Sequence, residues 1–324
     1  MIIVTGGAGF IGSAIVWRLN ELDSDEIIIV DELGQDEKWK NLVGLKFEDF
    51  VHKHEFIEQI INNKILYKID AIIHLGANSS TTEKDADHLM TNNYKYTETL
   101  ARFCLKNDVR FIYASSAATY GNGSMGFDDD EERIQTLRPL NMYGYSKQLF
   151  DLWAKRHGAF NKIVGLKYFN VYGPNEYHKG EMRSVVHKAY EQVRDNGKVR
   201  LFKSRKPEYE DGEQMRDFVY VKDAVDMTLY FLDKKEKTGL FNIGAGKART
   251  WNDLVKALFN AMGKPVNIEY INLPDKLADK YQYFTEARLD KLRSAGYENT
   301  PNTLEDGVTD YVKNYLLKDS YLGH

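Results

Sequence analysis

The first twelve residues, Met1-Ile-Ile-Val-Thr-Gly-Gly-Ala-Gly-Phe-Ile-Gly12, constrain the fold more than any other stretch. A short β-branched apolar run leads directly into Gly6, Gly9 and Gly12 at three-residue spacing, and an amphipathic segment from Phe10 to Leu22 follows. That order reads as strand, tight glycine turn and helix. The free N–H groups of the first helical turn and the positive end of the helix dipole favour a pyrophosphate, and the glycines let the main chain approach it. A glycine triplet alone is weak evidence, because tight turns carry that spacing for other reasons. The context strengthens it. Ile27-Ile-Ile-Val30 is a continuous apolar run of the kind buried on both faces of a parallel sheet. It ends at Asp31, about twenty residues past the last glycine, where a carboxylate can accept from the ribose hydroxyls of a dinucleotide.

The first half of the chain repeats this alternation. Helical patterns at His54–Asn63, Ala86–Lys106 and Tyr143–Arg156 interleave with strand-like runs at Asp70–Leu75, Arg110–Ala114 and Ile163–Phe169. Such alternation predicts βαβ units, right-handed crossovers and a parallel sheet covered on both faces, with ligands outside the carboxyl ends of the strands. Gly76–Ser80, Ser115–Tyr120 and Asn170–Pro174 all fall at such ends. After Pro174 the pattern loosens: Met182–Asn196 is helical, Lys203–Gln214 is a charged loop, and Arg216–Val221 opens a strand-then-helix return that closes at Gly239–Gly244. Thr250–Met262, Val266–Ile271 and Leu304–Leu316 complete the chain. The reading is an α/β fold of two lobes: residues 1–174 with 216–244 around the main sheet, and residues 175–215 with 245–324 as a smaller discontinuous α/β lobe, with the ligand cleft between them.

Composition excludes other classes. The chain has 324 residues, 43% apolar and 28% charged, with a net charge of -4, so it lacks the basic excess a nucleic-acid binder needs. Its apolar runs fall short of membrane-span length, and no charged-then-apolar leader is present, which predicts a cytoplasmic protein. The lone Cys104 excludes an intrachain disulfide and reads as a small buried apolar residue. The acidic run Asp128–Glu132 reads as a solvated loop, and no metal-ligand pattern occurs.

Tyr143-Gly-Tyr-Ser-Lys147 places a phenol and an ammonium four residues apart, on one helical face. A nearby ammonium favours phenolate, and such a group can take a proton from an alcohol while hydride leaves the carbon. Ser116, at the end of a strand, can donate to the same substrate oxygen. Glycine turn, Asp31, serine and tyrosine–lysine pair occur in the order one active site requires.

These residues resemble the extended short-chain dehydrogenase/reductase superfamily, which acts mostly on nucleotide sugars and is built on a Rossmann doubly wound sheet. The likeness covers nearly the whole chain. Gly76-Ala-Asn-Ser-Ser-Thr-Thr-Glu83, Tyr168–Pro174, His178-Lys-Gly180, Arg216–Val221 and Pro274-Asp-Lys-Leu277 with Tyr281-Gln282 narrow it to the bacterial branch that epimerises ADP-linked manno-heptoses for the lipopolysaccharide inner core. The resemblance implies NADP (NAD possible), a homo-oligomer, and inversion at C6 by transient oxidation and re-reduction, with Tyr143 and Lys179 as the two acid–base groups. It further implies cofactor contacts from Gly6, Gly9, Phe10, Ile11, Gly12, Asp31, Glu32, Lys38, Lys53, Leu75, Gly76, Ala77, Asn78, Ser79, Asn92, Tyr143, Lys147, Val171 and Lys179. Substrate contacts would come from Ser116, Asn170, Lys179, Glu181, Lys188, Phe202, Arg216 and Tyr281, with Arg216 as a forked pyrophosphate donor.

The departures cluster at two places. Glu32 stands where the branch has Asn, and its carboxylate opposes a 2′-phosphate that Lys38 and Lys53 favour. Glu181 stands where a serine is expected, and Lys188 fills the slot of a histidine, His187 lying one place early. Two rival functions follow: another epimerase, such as a UDP-hexose 4-epimerase, or a non-catalytic dinucleotide-binding protein. Ala117-Ala118, where dehydratases carry an acid pair, argues against dehydration.

Overall fold

The computed structural model describes residues 1–275 and 281–324, so Lys276 and Leu277 of the segment singled out above lie outside the described residues. Seven parallel strands form the central sheet: β1 (Ile2–Thr5), β2 (Ile27–Asp31), β3 (Asp49–His52), β4 (Ala71–His74), β5 (Arg110–Ser116), β6 (Val164–Tyr168) and β10 (Gly239–Ile243), in the order β10-β6-β5-β4-β1-β2-β3. The order reverses between β1 and β4, which pair with Thr5 opposite His74. Apolar runs are continuous because both faces are covered: Ile27 and Ile29 pack into one core layer, Ile28 and Val30 into the other. The helices over the sheet are α1 (Phe10–Glu21), α2 (Lys53–Ile61), α3 (Tyr96–Asn107), α4 (Met142–Arg156) and, later, α6 (Val221–Asp233). Cys104 is buried, and burial pushes its thiol pKa up, as suits an unreactive apolar residue.

Two expectations are corrected here. The strand β9 (Met215–Tyr220) is not part of the main sheet; it lies between β7 (Asn170–Tyr172) and β11 (Ala248–Thr250) in a separate three-stranded sheet. The acidic run is not simply solvated. Asp129 is buried, its Oδ2 accepting the Asn242 N–H at 2.8 Å, while Glu131 Oε1 accepts the Leu240 N–H at 2.9 Å. β10 is the sheet edge, so its outward N–H groups need acceptors, and two alternate acidic side chains supply them where a further strand would.

The remaining elements are α5 (Val185–Asn196), a parallel pair β8 (Val199–Phe202) and β12 (Ile268–Ile271), α7 (Trp251–Ala261) and α8 (Leu304–Asp310). α5 starts later than its pattern suggested because Ser184 caps it, accepting the His187 N–H, while Met182 ends a separate 3₁₀ turn from Tyr177. The short strand β3 gave no sequence signal, being an edge strand of four residues with charged neighbours. No helix among the described residues is long and apolar enough to cross a membrane.

Candidate active site

The site opens at the carboxyl ends of β1 and β4, where the strand order reverses. Glycine is required there by contact. A Cβ on Gly6, whose φ is +68°, would stand 2.7 Å from the Gly76 nitrogen, and one on Gly12 would overlap the Gly6 carbonyl oxygen. The N-cap of α1 is Gly9, with no side chain over the helix start. Beside this turn a cavity of about 110 Å³ is lined by Thr5, Gly6, Val30, Asp31, Glu32, Lys38, Lys53, Gly76, Ala77, Asn92 and Tyr96. A bare helix N-terminus, a glycine cradle and an adjoining polar cavity fit a dinucleotide, whose pyrophosphate would lie at the turn and whose adenosine would enter the cavity.

Asp31, expected to accept from a ribose, is engaged within the protein. Its Oδ2 accepts the Ala8 N–H at 2.9 Å and its Oδ1 accepts from Glu32 N at 2.7 Å and Lys38 Nζ at 2.9 Å, so the carboxylate also braces the glycine turn. Lys53 pairs with the Glu32 carboxylate and donates to Asn92 Oδ1 at 3.3 Å. The Lys53 hydrogen bond holds Glu32 below its usual pKa. Both lysines expected to attract a 2′-phosphate are thus already paired with carboxylates.

Asn92 sits in a π-helical turn, Met90–Lys95, leading into α3; such widened turns recur at functional sites. The turn also aims Asn93, which sequence reading passed over. Its side chain accepts from Asn78 N at 2.9 Å and donates to Asn78 O at 2.9 Å and to Ser146 Oγ at 3.1 Å, tying the loop after β4 to α4. A buried amide one turn before the buried hydroxyl of Thr97, on the face that continues into Leu100, Ala101 and Cys104, is the signal that could have found it.

Tyr143 and Lys147 lie on α4 against the end of β5. Lys147 is buried and donates to the Ala114 carbonyl at 2.9 Å; burial pushes its pKa down to about 8, against the pull of Asp151. The Tyr143 phenol meets the Ser116 hydroxyl. The expected lowering of the phenol by Lys147 is not what governs it: burial pushes the phenol up and the Ser116 hydrogen bond opposes this. Behind them, Asp151 is wholly buried and accepts from Tyr113 Oη at 2.8 Å, Ser115 Oγ at 2.8 Å and Lys167 Nζ at 3.0 Å. Neither Asp151 nor Lys167 was anticipated; the i, i+4, i+8 series Tyr143, Lys147, Asp151 was the available signal.

Lys179 arrives from a different element, the turn after β7. Its ammonium stands 5.4 Å from the centre of the Phe10 ring, at the start of α1, and burial pushes its pKa down while Glu176 pulls it up. In a separate cluster, Arg216 is buried with its guanidinium 5.5 Å from the Tyr281 ring and 5.6 Å from the Trp251 ring. Phe202 meets Tyr281 edge-on at 6.3 Å, and Trp251 Nε1 donates to Tyr281 Oη at 3.1 Å. Trp251 was missed, because only folding brings it to Tyr281. The Arg216 fork is partly spent, donating to the carbonyls of Met215 and Gln282. Asn170 is exposed and Val171 partly buried in β7. Glu181 and Lys188 pair with each other on an exposed surface, and among the described residues neither contacts the Arg216 cluster. Among the described residues no group of His, Cys, Asp or Glu is placed to hold a metal ion.

The NAD dependent epimerase/dehydratase family model matches residues 2–244. The ADP-L-glycero-D-manno-heptose-6-epimerase of Nitratidesulfovibrio vulgaris (strain DP4) is 56% identical over 316 residues, which cover 98% of each chain. The crystal structure of the Helicobacter pylori ADP-L-glycero-D-manno-heptose-6-epimerase, 30% identical, superposes with a TM-score of 0.81 over 97% of this chain and 95% of that one. A Bacillus cereus UDP-glucuronic acid 4-epimerase, solved with UDP-glucuronic acid and NAD, is 28% identical with a TM-score of 0.76, over 97% of this chain and 99% of that one. The chain belongs to the NAD dependent epimerase/dehydratase family.

Proposed function

We propose that the protein epimerises C6 of an ADP-linked manno-heptose, converting the D-glycero to the L-glycero form for the lipopolysaccharide core of a bacterium. The observation that carries the reading is the 56% identity to a heptose epimerase along 98% of both chains, joined to acid–base candidates on two separate elements, Tyr143 on α4 and Lys179 after β7. Bound at the glycine turn, the nicotinamide cofactor supplies reversible hydride acceptance, so the reaction shows no net redox change. The protein's residues hold and move the protons. Lys179, lowered by burial, takes the alcohol proton as the carbon is oxidised. Tyr143, high in pKa and hydrogen-bonded to Ser116, is protonated near neutral pH and gives a proton, directly or through Ser116, to the carbonyl oxygen as it is reduced on the other side. Lys147 keeps a positive charge beneath them. Phe202, Tyr281 and Trp251 give the nucleotide base an apolar and stacking surface, with Arg216 directing its remaining N–H donors at phosphate oxygens. The same reading carries a cytoplasmic homo-oligomer.

NADP is the cofactor this reading favours, through Lys38 and Lys53. A second reading, NAD, is favoured by the Glu32–Lys53 ion pair, which a 2′-phosphate must displace. The mass of the nucleotide released by denaturing the purified protein separates them. Incubating the protein with ADP-heptose, UDP-glucose and UDP-glucuronic acid and following the sugar by NMR tests the substrate: a new heptose epimer supports the reading, and turnover of a UDP-hexose alone overturns it.

A further inference from the structure

The loop that carries Lys179 is tied to the glycine turn and to the chain's last residues through its first half. Asn175 is fully buried yet adopts a left-handed backbone, φ +75°, which a residue with a side chain holds only when its surroundings impose it. Its side chain donates to Ser13 Oγ on α1 at 2.9 Å and accepts the Leu322 N–H at 2.9 Å. Its carbonyl accepts from the amide of Asn41 at 3.1 Å, and the same amide donates to the Ala8 carbonyl in the glycine turn at 2.9 Å and lies 3.2 Å from His178 Nδ1. Tyr177 donates to the Ser320 carbonyl at 2.8 Å and packs edge-on against Tyr321. Beyond Lys179 the loop bonds only to its own neighbourhood, Arg183 Nε donating to the Gly180 carbonyl at 2.8 Å, Lys188 pairing with Glu181 and Ser184 donating to Glu176, and none of these bonds reaches the glycine turn. The bonds that reach the glycine turn therefore come from the residues just before Lys179, Asn175 and His178 through Asn41.

We propose that Asn175 and Asn41 are positioning residues for Lys179, holding its ammonium over Phe10 at the head of α1, with Ser320–Leu322 as the buttress behind the loop. The assignment rests on the reading of Lys179 as the second acid–base group. Each asparagine bridges several elements at once: Asn41 joins the Lys38 turn, the glycine turn and the Lys179 loop, and Asn175 joins α1 and residue 322 to the same loop. Cofactor seat and acid–base lysine are thus set by one hydrogen-bonded unit, and slack in it moves Lys179 without touching Tyr143.

The test uses Asn175→Gly, which accepts the left-handed backbone while deleting both side-chain hydrogen bonds, and Asn41→Ala as a second variant should the first fail to fold. Each is made in the wild-type protein and in Lys179→Met, and kcat and KM are measured on the ADP-heptose. The expected result is a fall in kcat of about tenfold or more with KM within about twofold, an upward shift of the pH limb that belongs to Lys179, and almost no further loss in the Lys179→Met background, as for residues acting through one group. An equal loss in both backgrounds, or an effect on KM alone, overturns the assignment. A substrate-free readout stands beside it: the titration of the ¹³C-dimethylated Lys179 amine, assigned by its absence in Lys179→Met, moves up toward the ordinary lysine range in both asparagine variants. An unchanged titration also overturns the proposal, whereas an inactive wild-type protein counts against the functional reading and leaves the titration to decide this one.

Discussion

Lys147 donates to the Ala114 carbonyl at 2.9 Å, while Tyr143, one turn earlier on the same helix, meets the hydroxyl of Ser116. Two consecutive turns of α4 therefore seat on β5 at points two residues apart, and the position of the phenol is fixed by the strand as well as by its helix. In Tyr143→Phe the ring stays seated but the proton is gone. Turnover should fall at least about a hundredfold, the usual scale for a lost general acid–base, with the thermal midpoint and bound nucleotide preserved. Near-normal kcat in this variant would remove Tyr143 from the mechanism.

Lys179→Met separates proton transfer from phosphate binding. A lysine that only binds phosphate contributes equally to ground and transition states, and its loss raises KM with little change in kcat. A lysine that transfers a proton lowers kcat at saturating substrate. We expect the second, with each epimer as starting material; a change confined to KM would make Lys179 a binding residue.

The Glu32–Lys53 pair makes the choice of coenzyme testable. The Glu32 carboxylate occupies Lys53. Glu32→Gln frees that ammonium and removes a like charge facing a 2′-phosphate, so the Kd for NADP should tighten about tenfold relative to that for NAD, roughly 1.4 kcal/mol. Calorimetric titration of nucleotide-free protein with both cofactors checks it, and an unchanged ratio would show that Lys38 alone governs the choice.

Asp151 and Lys167 form a fully buried ion pair at 3.0 Å, and the Lys167 ammonium also reaches Thr119 Oγ1 at 2.5 Å. Removing one partner leaves the other charge uncompensated, so Lys167→Met should cost about 3–5 kcal/mol of stability. Lys167→Met with Asp151→Leu should cost much less than the sum of the two single changes. Additive losses in urea unfolding would show that the pair does not interact as placed.

Burial raises the pKa of Asp129 to about 6 from an ordinary 3.8, although it accepts from Asn242. A carboxyl whose folded pKa is raised favours the folded state while protonated, so its contribution is complete below about pH 4 and is lost as pH rises through 6. Asp129→Asn keeps an acceptor oxygen and never charges. Its thermal midpoint should exceed that of the wild type at pH 8, and the difference should vanish near pH 4. A variant equally stabilised at both pH values would mean that burial of this charge is not the cause.

Much of the main sheet was written locally. Ile2–Thr5, Ile27–Asp31 and Ala71–His74 are apolar runs legible without their partners, and Gly6, Gly9 and Gly12 mark the turn by spacing alone, although Gly76 and Asp31 complete its packing and bonding. The tyrosine–lysine pair was equally legible, because a helix fixes the relation of residues four apart. Other features belong to no local segment. Asn41 meets Asn175 across 134 positions, Asp129 meets Asn242 across 113, and Trp251 reaches Tyr281 only once α7 has docked. The strand β9 carried its own β pattern, but which sheet it joined depended on β7 and β11. The ion pairs of Lys38 and Lys53 likewise followed from which carboxylates folding set beside them. Sequence alone determined periodicity, turn chemistry and the order of the reactive groups, since these depend on neighbours along the chain. Only the tertiary structure decided partners and burial, because hydrogen bonds and desolvation depend on distances that the chain closes by folding.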